Sequence, residues 1–356
     1  MQQAVRRQAY ADDVPTNVQG SIRAPAAQLA EKLNALLRAA THTNDTYVVQ
    51  LSSTGTEAVE AALKHALLEF SKRRSEFATK VEKVLVELED QHPADPSIPV
   101  LRAWKHSVDH ASAIFLAVQG SFHGKTAAAL SATSNASFKS MFDQTPLKTL
   151  FLDPNDLAAC SAIVRSTTLV APNEALDDFS PIAGIIFEPL QCDGGMFELS
   201  APFARWMESV RTDFGTPLIA DEIQCGFFRT GRFLCSELLG LSPNYILLGK
   251  SLGGGLSKIA ATCIEASRYV DEFGWVHSST FAEDEPSCLV SLGAMEAVEA
   301  LSPTIEERAA HFERRMREGV AVIQQDVGAY VAEIRGRGFL LGLDFDLAGH
   351  GVEIPL

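Results

Sequence analysis

Pro217-Leu-Ile-Ala-Asp221-Glu222 and Tyr245-Ile-Leu-Leu-Gly-Lys250-Ser-Leu-Gly-Gly-Gly255 decide the fold. Each is a short apolar run with no helical spacing, which reads as a buried strand. The first ends in a carboxylate, and the second ends in a lysine at the mouth of a glycine-rich loop. Similar runs lie to either side. Tyr47–Leu51, Ala113–Val118, Leu147–Leu152, Ile182–Glu188 and Ile259–Ile264 read as further strands. Helical spacing covers 25–39, where Leu29, Leu33, Leu36 and Leu37 form one stripe. A long helix opens at Glu57 and runs, with breaks, to about Glu89. After the proline-rich stretch His92–Pro99, another helix carries Leu101, Trp104 and Val108. Ser200 reads as the N-cap of a helix ending near Gly215, and Ser302-Pro303 opens one more. Val331–Arg335 and Phe339–Phe345 read as two strands around Gly336 and Gly338. Alternating strands and helices predict an α/β fold, with a mostly parallel sheet covered on both faces. Ligands of such sheets bind beyond the carboxyl ends of the strands. Asp221, Lys250, Glu188, Ser53–Thr56 and Phe122–His123 all fall there.

Length and composition narrow the function. The chain has 356 residues, 46% of them hydrophobic and 21% charged, as in ordinary globular proteins. A formal charge of −15 without a dense basic tract argues against a nucleic-acid partner. No apolar run approaches the ~18–20 residues that span a bilayer, and the opening residues lack a signal-peptide core. The six cysteines are scattered without a C-x-x-C pair, which predicts reduced thiols in a cytoplasmic protein. Neither they nor the nine histidines have metal-ligand spacing.

At the strand ends, the residues fit the needs of one cofactor, pyridoxal 5'-phosphate. That cofactor requires an amine to bond its aldehyde and a carboxylate to keep its ring nitrogen protonated. It also requires backbone amides for its phosphate and flat or branched side chains against its ring. Lys250 is the candidate amine; alternatively it is a surface lysine closing a strand. Asp221 is the candidate acid; alternatively it caps the following helix. Ser53-Thr54-Gly55-Thr56 precedes a helix whose free amides suit a phosphate, although a plain N-cap has the same pattern. Phe122 is a candidate stacking ring, or a core aromatic. Gly249-Lys250-Ser251 and Gly124-Lys125-Thr126 resemble the end of a nucleotide-binding P-loop. The glycine that motif needs five positions earlier is Asn244 in one and Gln119 in the other, so neither qualifies.

Taken in order, these segments resemble the class III pyridoxal-phosphate-dependent aminotransferases. Thr54-Gly-Thr-Glu-Ala58 resembles their phosphate cup, and Ser121-Phe-His-Gly-Lys-Thr126 their aromatic turn. Ile186-Phe-Glu188-Pro-Leu-Gln191 with Asp193-Gly-Gly195 resembles their Glu-Pro strand end. Leu218-Ile-Ala-Asp221 through Gly231 resembles their most diagnostic stretch, and Leu248–Gly255 their lysine loop. Ser278-Ser-Thr280-Phe281 and Arg335-Gly-Arg-Gly338 match further family segments, so the likeness runs from about residue 25 to 346.

The resemblance implies the fold type I architecture of pyridoxal-phosphate transferases, with the beginning of a smaller C-terminal α+β domain. It divides the chain into a residual N-terminal segment (1–45), a large cofactor-binding domain (46–300, with a helical insertion at about 70–112) and the start of a small domain (301–356). It implies amino-group transfer between an amine or amino acid and a keto acid or aldehyde. Lys250 is then the Schiff-base lysine and proton carrier, and Asp221 the partner of the ring nitrogen. Thr54, Gly55 and Thr56 hold the phosphate, Phe122 and Ile223 cover the two ring faces, and Gln224 bonds the ring hydroxyl. Glu188 supports the site from behind, as Arg229 does in the same reading, and His123 lines it. Thr280 reaches the phosphate of a neighbouring subunit, so the expected assembly is a homodimer with shared sites.

Departures from the family pattern qualify these expectations. The family carries several dozen residues before the point where this sequence begins. Its C-terminal domain is longer and includes a basic residue for the substrate carboxylate. The expectation is therefore a truncated chain or a piece of a larger protein. Ser53-Thr54 replaces the usual asparagine-serine, and the acidic stretch Ala282–Pro286 replaces a glycine-rich one. An aminomutase with the same cofactor, or a truncated non-catalytic interaction domain, are the alternatives.

Overall fold

Strand β2 (Ile114–Val118) is buried at every position, and its residues alternate between two hydrophobic layers. Phe115 and Ala117 face one layer, and Ile114, Leu116 and Val118 face the other. That pattern requires cover on both faces of a sheet. The computed structural model, which describes residues 23–142, 144–327 and 330–345, supplies that cover. The expectations for residues 1–22 and 346–356 lie outside the described residues.

A seven-stranded sheet runs in the order β1-β9-β8-β7-β4-β2-β3. Its other strands are β1 (Tyr47–Ser52), β3 (Thr149–Leu152), β4 (Ile182–Phe187), β7 (Leu218–Asp221), β8 (Tyr245–Leu248) and β9 (Ala260–Glu265). Strands β3, β2, β4, β7 and β8 run parallel to one another. Strand β9 is antiparallel to both β8 and β1, so β1 points the same way as β8. A two-residue hairpin, β5 (Leu190–Gln191) with β6 (Phe197–Glu198), follows β4.

Helix α1 (Ala24–Thr41) packs Leu29, Leu33 and Leu37 against the β1–β9 edge. Helix α2 (Gly55–Gln91) is continuous, which corrects the expectation of breaks. Its stretch Glu57–Gln91 contains neither glycine nor proline. The first half lies on the sheet through Val59, Ala62, Leu63 and Ala66. The second half buries Val81 and Leu85 against Leu101 of α3 (Ile98–Asp109), forming a helical hairpin. On the opposite face, α5 (Leu157–Thr167) and α6 (Ala201–Phe214) supply Val164, Phe203 and Met207. The short α4 (Ala127–Ala132) follows the turn after β2. Beyond the sheet come α7 (Phe273–Val276), α8 (Glu285–Glu299) and α9 (Ser302–Val327). The antiparallel pair β10 (Val331–Arg337) and β11 (Leu340–Phe345) closes the described chain. Arg317 of α9 donates to the carbonyls of Ile334 and Gly336 at 2.9 Å each, tying this pair to its helix. Among the described residues no single helix is long and apolar enough to cross a membrane.

Candidate active site at the carboxyl ends of the strands

The parallel register brings Ala220 opposite Ile246 and Asp221 opposite Leu247. Asp221 therefore ends β7 beside the strand that delivers Lys250 three residues later. Lys250 adopts φ +41°, a left-handed conformation that is strained for a residue with a side chain. Its Nζ donates to Gln224 Oε1. Both residues line one cavity of about 280 Å³. Gly55, Thr56, Phe122, His123, Glu188, Asp221 and Ile223 complete the set of expected residues in its wall, joined by Gly124, Lys125 and Leu190.

Three expected residues stand outside this cavity, among them Arg229, which lines a neighbouring one together with Gln224 and Lys250. Thr54 is exposed and forms a reciprocal capping box with Glu57 at the start of α2. Its position one residue before the cup explains the difference, because its hydroxyl is turned to the Glu57 amide. Thr280 is exposed in the connection between α7 and α8.

Asp221 is 5% exposed and fully engaged on one side. Its Oδ1 accepts from the Ile223 amide at 3.1 Å, and its Oδ2 contacts His123 Nδ1 at 2.8 Å. A carboxylate accepts, so His123 Nδ1–H donates. The other ring nitrogen, His123 Nε2, is buried with no partner among the described residues. Behind them, Glu188 accepts from the Phe122 amide at 2.9 Å and so anchors the backbone of the candidate stacking residue. Burial pushes the Glu188 carboxyl up to about 7, against the opposing pull of His123 and with the charges of Asp221 and Asp193 adding to the rise.

The start of α2 is equally specific. The amides of Ser53 and Thr54 donate to the Glu57 carboxylate at 2.8 and 3.0 Å, and the Glu57 amide to Thr54 Oγ1 at 3.4 Å. No described residue accepts from the amides of Gly55 and Thr56, the two that open α2 beside the cavity. A side chain at Gly55 would place its Cβ 2.9 Å from Ile223 Cγ2. One at Gly124, where φ is +126°, would place its Cβ 2.2 Å from Thr56 Oγ1. The backbone here must come this close for the cup to form. Two free amides at a helix start, a buried acid, a strained lysine and an unpartnered buried imidazole nitrogen form a donor set that fits pyridoxal phosphate.

Some contributors were not foreseen. Glu222 is buried and accepts from the amides of Cys235 and Ser236 at 2.9 and 2.7 Å and from the Cys225 thiol at 3.2 Å. It pins the loop that follows Gln224, and burial raises its carboxyl pKa. Two consecutive acids at the end of an apolar strand were the available signal. Glu60 and Thr126 were also missed, and only their separate places beside the cup and the aromatic turn hinted at them.

A model of the class III aminotransferases matches residues 1–352, and the chain belongs to that family, whose cofactor is pyridoxal phosphate. It is 28% identical to ornithine aminotransferase 1 of Staphylococcus saprophyticus over 257 residues, covering 71% of this chain and 60% of that protein. It is 30% identical to the acetylornithine aminotransferase of Thermosynechococcus vestitus over 253 residues, covering 70% and 58%. The fold is similar to the crystal structure of ornithine aminotransferase from Toxoplasma gondii, with TM-score 0.72 at 21% identity, covering 98% of this chain and 69% of that one. It is also similar to an amine transaminase from an uncultivated Pseudomonas species, with TM-score 0.71 at 23% identity, covering 97% and 72%. The chain spans at most about 60% of the length of these curated relatives.

Proposed function

We propose that this chain carries the cofactor-binding and proton-transfer machinery of an enzyme that moves an amino group between an amine or amino acid and a keto acid or aldehyde. The observation that carries the reading is the convergence of Lys250, Asp221, Gly55 and Thr56 on one cavity. When bound, pyridoxal phosphate supplies an electron sink for the carbon that loses its proton. Lys250 is the residue that would bond the cofactor's aldehyde, and its amine would take up and return the proton of the reacting carbon. Asp221, braced by His123, holds the proton on the ring nitrogen. Gly55 and Thr56 would bind the phosphate, Phe122 and Ile223 would hold the ring, and Gln224 would bond its hydroxyl. Glu188 orients Phe122 through its amide.

A second copy of the chain belongs to this reading. Thr280 is exposed and flanked by outward-facing Trp275 (91% exposed), Val276 and Phe281. An apolar cluster of this kind suits burial against a partner. We place Thr280 at the neighbour's phosphate in a homodimer. Domain limits of 46–300 for the cofactor domain and 301 onward for the small domain accompany it. Six free cysteines support a reducing, cytoplasmic setting.

The test is a half-reaction. The protein is loaded with pyridoxal phosphate and challenged with ornithine, acetylornithine, putrescine and a panel of other primary amines. At least one should bleach the visible band, and a keto acid should restore it. A stable band that no amine in the panel bleaches would contradict the reading.

A further inference from the structure

One face of the phosphate cup carries a hydrogen-bond chain that the proposed roles leave unused. Glu60 Oε1 accepts from the amides of Ala128 and Ala129 at 2.9 and 3.1 Å and from Thr126 Oγ1 at 2.5 Å. Thr126 Oγ1 in turn lies 2.9 Å from Thr56 Oγ1. A hydroxyl has one proton to give, and a carboxylate oxygen can only accept. Thr126 gives its proton to Glu60. The contact between the two threonines therefore uses the proton of Thr56. The position of Thr56 Oγ1 is set from another side as well, since only the missing Cβ of Gly124 leaves room for it. Three donors converging on one Glu60 oxygen fix the direction of the whole chain.

We propose that Glu60 and Thr126 act as a polarity lock on the phosphate end of the pocket, holding the Thr56 hydroxyl proton away from the cavity. Thr56 then offers the incoming phosphate lone pairs, and it becomes a donor only by breaking its bond to Thr126. Glu60 and Thr126 are positioning residues in this account, because neither touches the cofactor. The inference rests on the cofactor reading above and adds a determinant of cofactor affinity. Retention of pyridoxal phosphate is then set against one local hydrogen bond, whose release strengthens binding.

The test is equilibrium titration of cofactor-free full-length protein with pyridoxal 5'-phosphate and, separately, with pyridoxal, which lacks the phosphate. Thr126→Val removes the acceptor for the Thr56 proton and should bind the phosphorylated ligand about two- to tenfold tighter, the range expected for one net hydrogen bond. Its affinity for pyridoxal should be unchanged. Thr126→Ser keeps the hydroxyl and should match the wild type, which also controls for folding. In a Thr56→Val background the Thr126→Val gain should vanish, because no proton remains to be released. Equal or weaker binding of the phosphorylated ligand by Thr126→Val overturns the lock. So does a gain shared by pyridoxal, or one that survives in the double variant. If the wild type does not distinguish the two ligands, the phosphate assignment itself falls and takes the lock with it.

Discussion

Two histidines are buried on opposite ends of the sheet, and they are used differently. His65, on α2 near the amino ends of the strands, engages both ring nitrogens. Its Nε2 accepts from the Val270 amide at 3.1 Å, and its Nδ1 lies 2.8 Å from the Tyr245 hydroxyl. Tyr269 stacks on its ring at 5.3 Å and Phe273 packs edge-on at 4.9 Å. Burial lowers its pKa to about 4, so it is a neutral structural group. His123, at the carboxyl ends, engages Nδ1 with Asp221 and leaves Nε2 buried without a described partner. Native interiors pair most of their buried polar atoms, and this unpaired one belongs to a residue lining the cavity shared with Lys250. The closed cluster holds the fold together, and the open one leaves a ring nitrogen unused beside the cavity.

Variants should separate the two ends. The largest effect belongs to Lys250→Ala, which removes the proposed proton carrier. Turnover in a transamination assay should fall by more than about 10⁴-fold with an unchanged circular-dichroism spectrum. Residual activity within tenfold of the wild type would break the comparison at its functional end. Asp221→Asn should follow, lowering turnover by about 10²–10⁴-fold while the protein still binds cofactor. It removes the carboxylate charge that would face the ring nitrogen and alters the acceptor of His123 in one step.

The next two predictions concern stability and have opposite slopes with pH. The Glu188 carboxyl sits near 7 folded against an ordinary value of 4.5. Folded protein keeps that proton longer, so the contribution is fully present below about 4.5 and is lost as pH rises towards 7. Glu188→Gln, a neutral isostere, should abolish that decline and gain on the order of 3 kcal/mol relative to wild type at pH 8. Urea melts of both cofactor-free proteins at pH 5 and pH 8 measure it, and a difference between variant and wild type that is the same at both would refute the shift. His65 runs the other way. With its pKa lowered from 6.5 to about 4, it supports the fold above 6.5 and loses that support as pH falls through 4. His65→Leu should cost about 2 kcal/mol at pH 8 by stranding the Val270 amide and the Tyr245 hydroxyl. Cofactor affinity should be unmoved, and a large loss of binding in this variant would blur the line between the two ends.

Much of this contrast could be read from the chain before folding. Apolar runs that end in Asp221, Glu188 or Lys250 announce buried strands with chemistry at their tips, and Thr54–Thr56 before a helix announces an anion cup. Direction was harder, because Ile259–Ile264 has the same composition whichever way it runs, and β9 turns out antiparallel. The length of α2 was obscured because its second half buries few residues, so the apolar stripe thins. The roles of Glu222, Glu60 and Thr126 depend on hydrogen bonds between segments far apart in sequence, which leave no local pattern. Likewise, His65 and His123 are indistinguishable by residue type. The strand-end turn Phe122-His123-Gly124 set the second apart, and the partners around each ring show how the two differ in use.

The central claim is that Lys250 is the residue that bonds the cofactor. Purified protein saturated with pyridoxal phosphate is reduced with borohydride, digested and examined by peptide mass spectrometry. The account predicts a pyridoxyl phosphate adduct on the peptide containing Lys250 and its absence in Lys250→Ala. Label confined to other lysines, or no label at saturating cofactor, would contradict it.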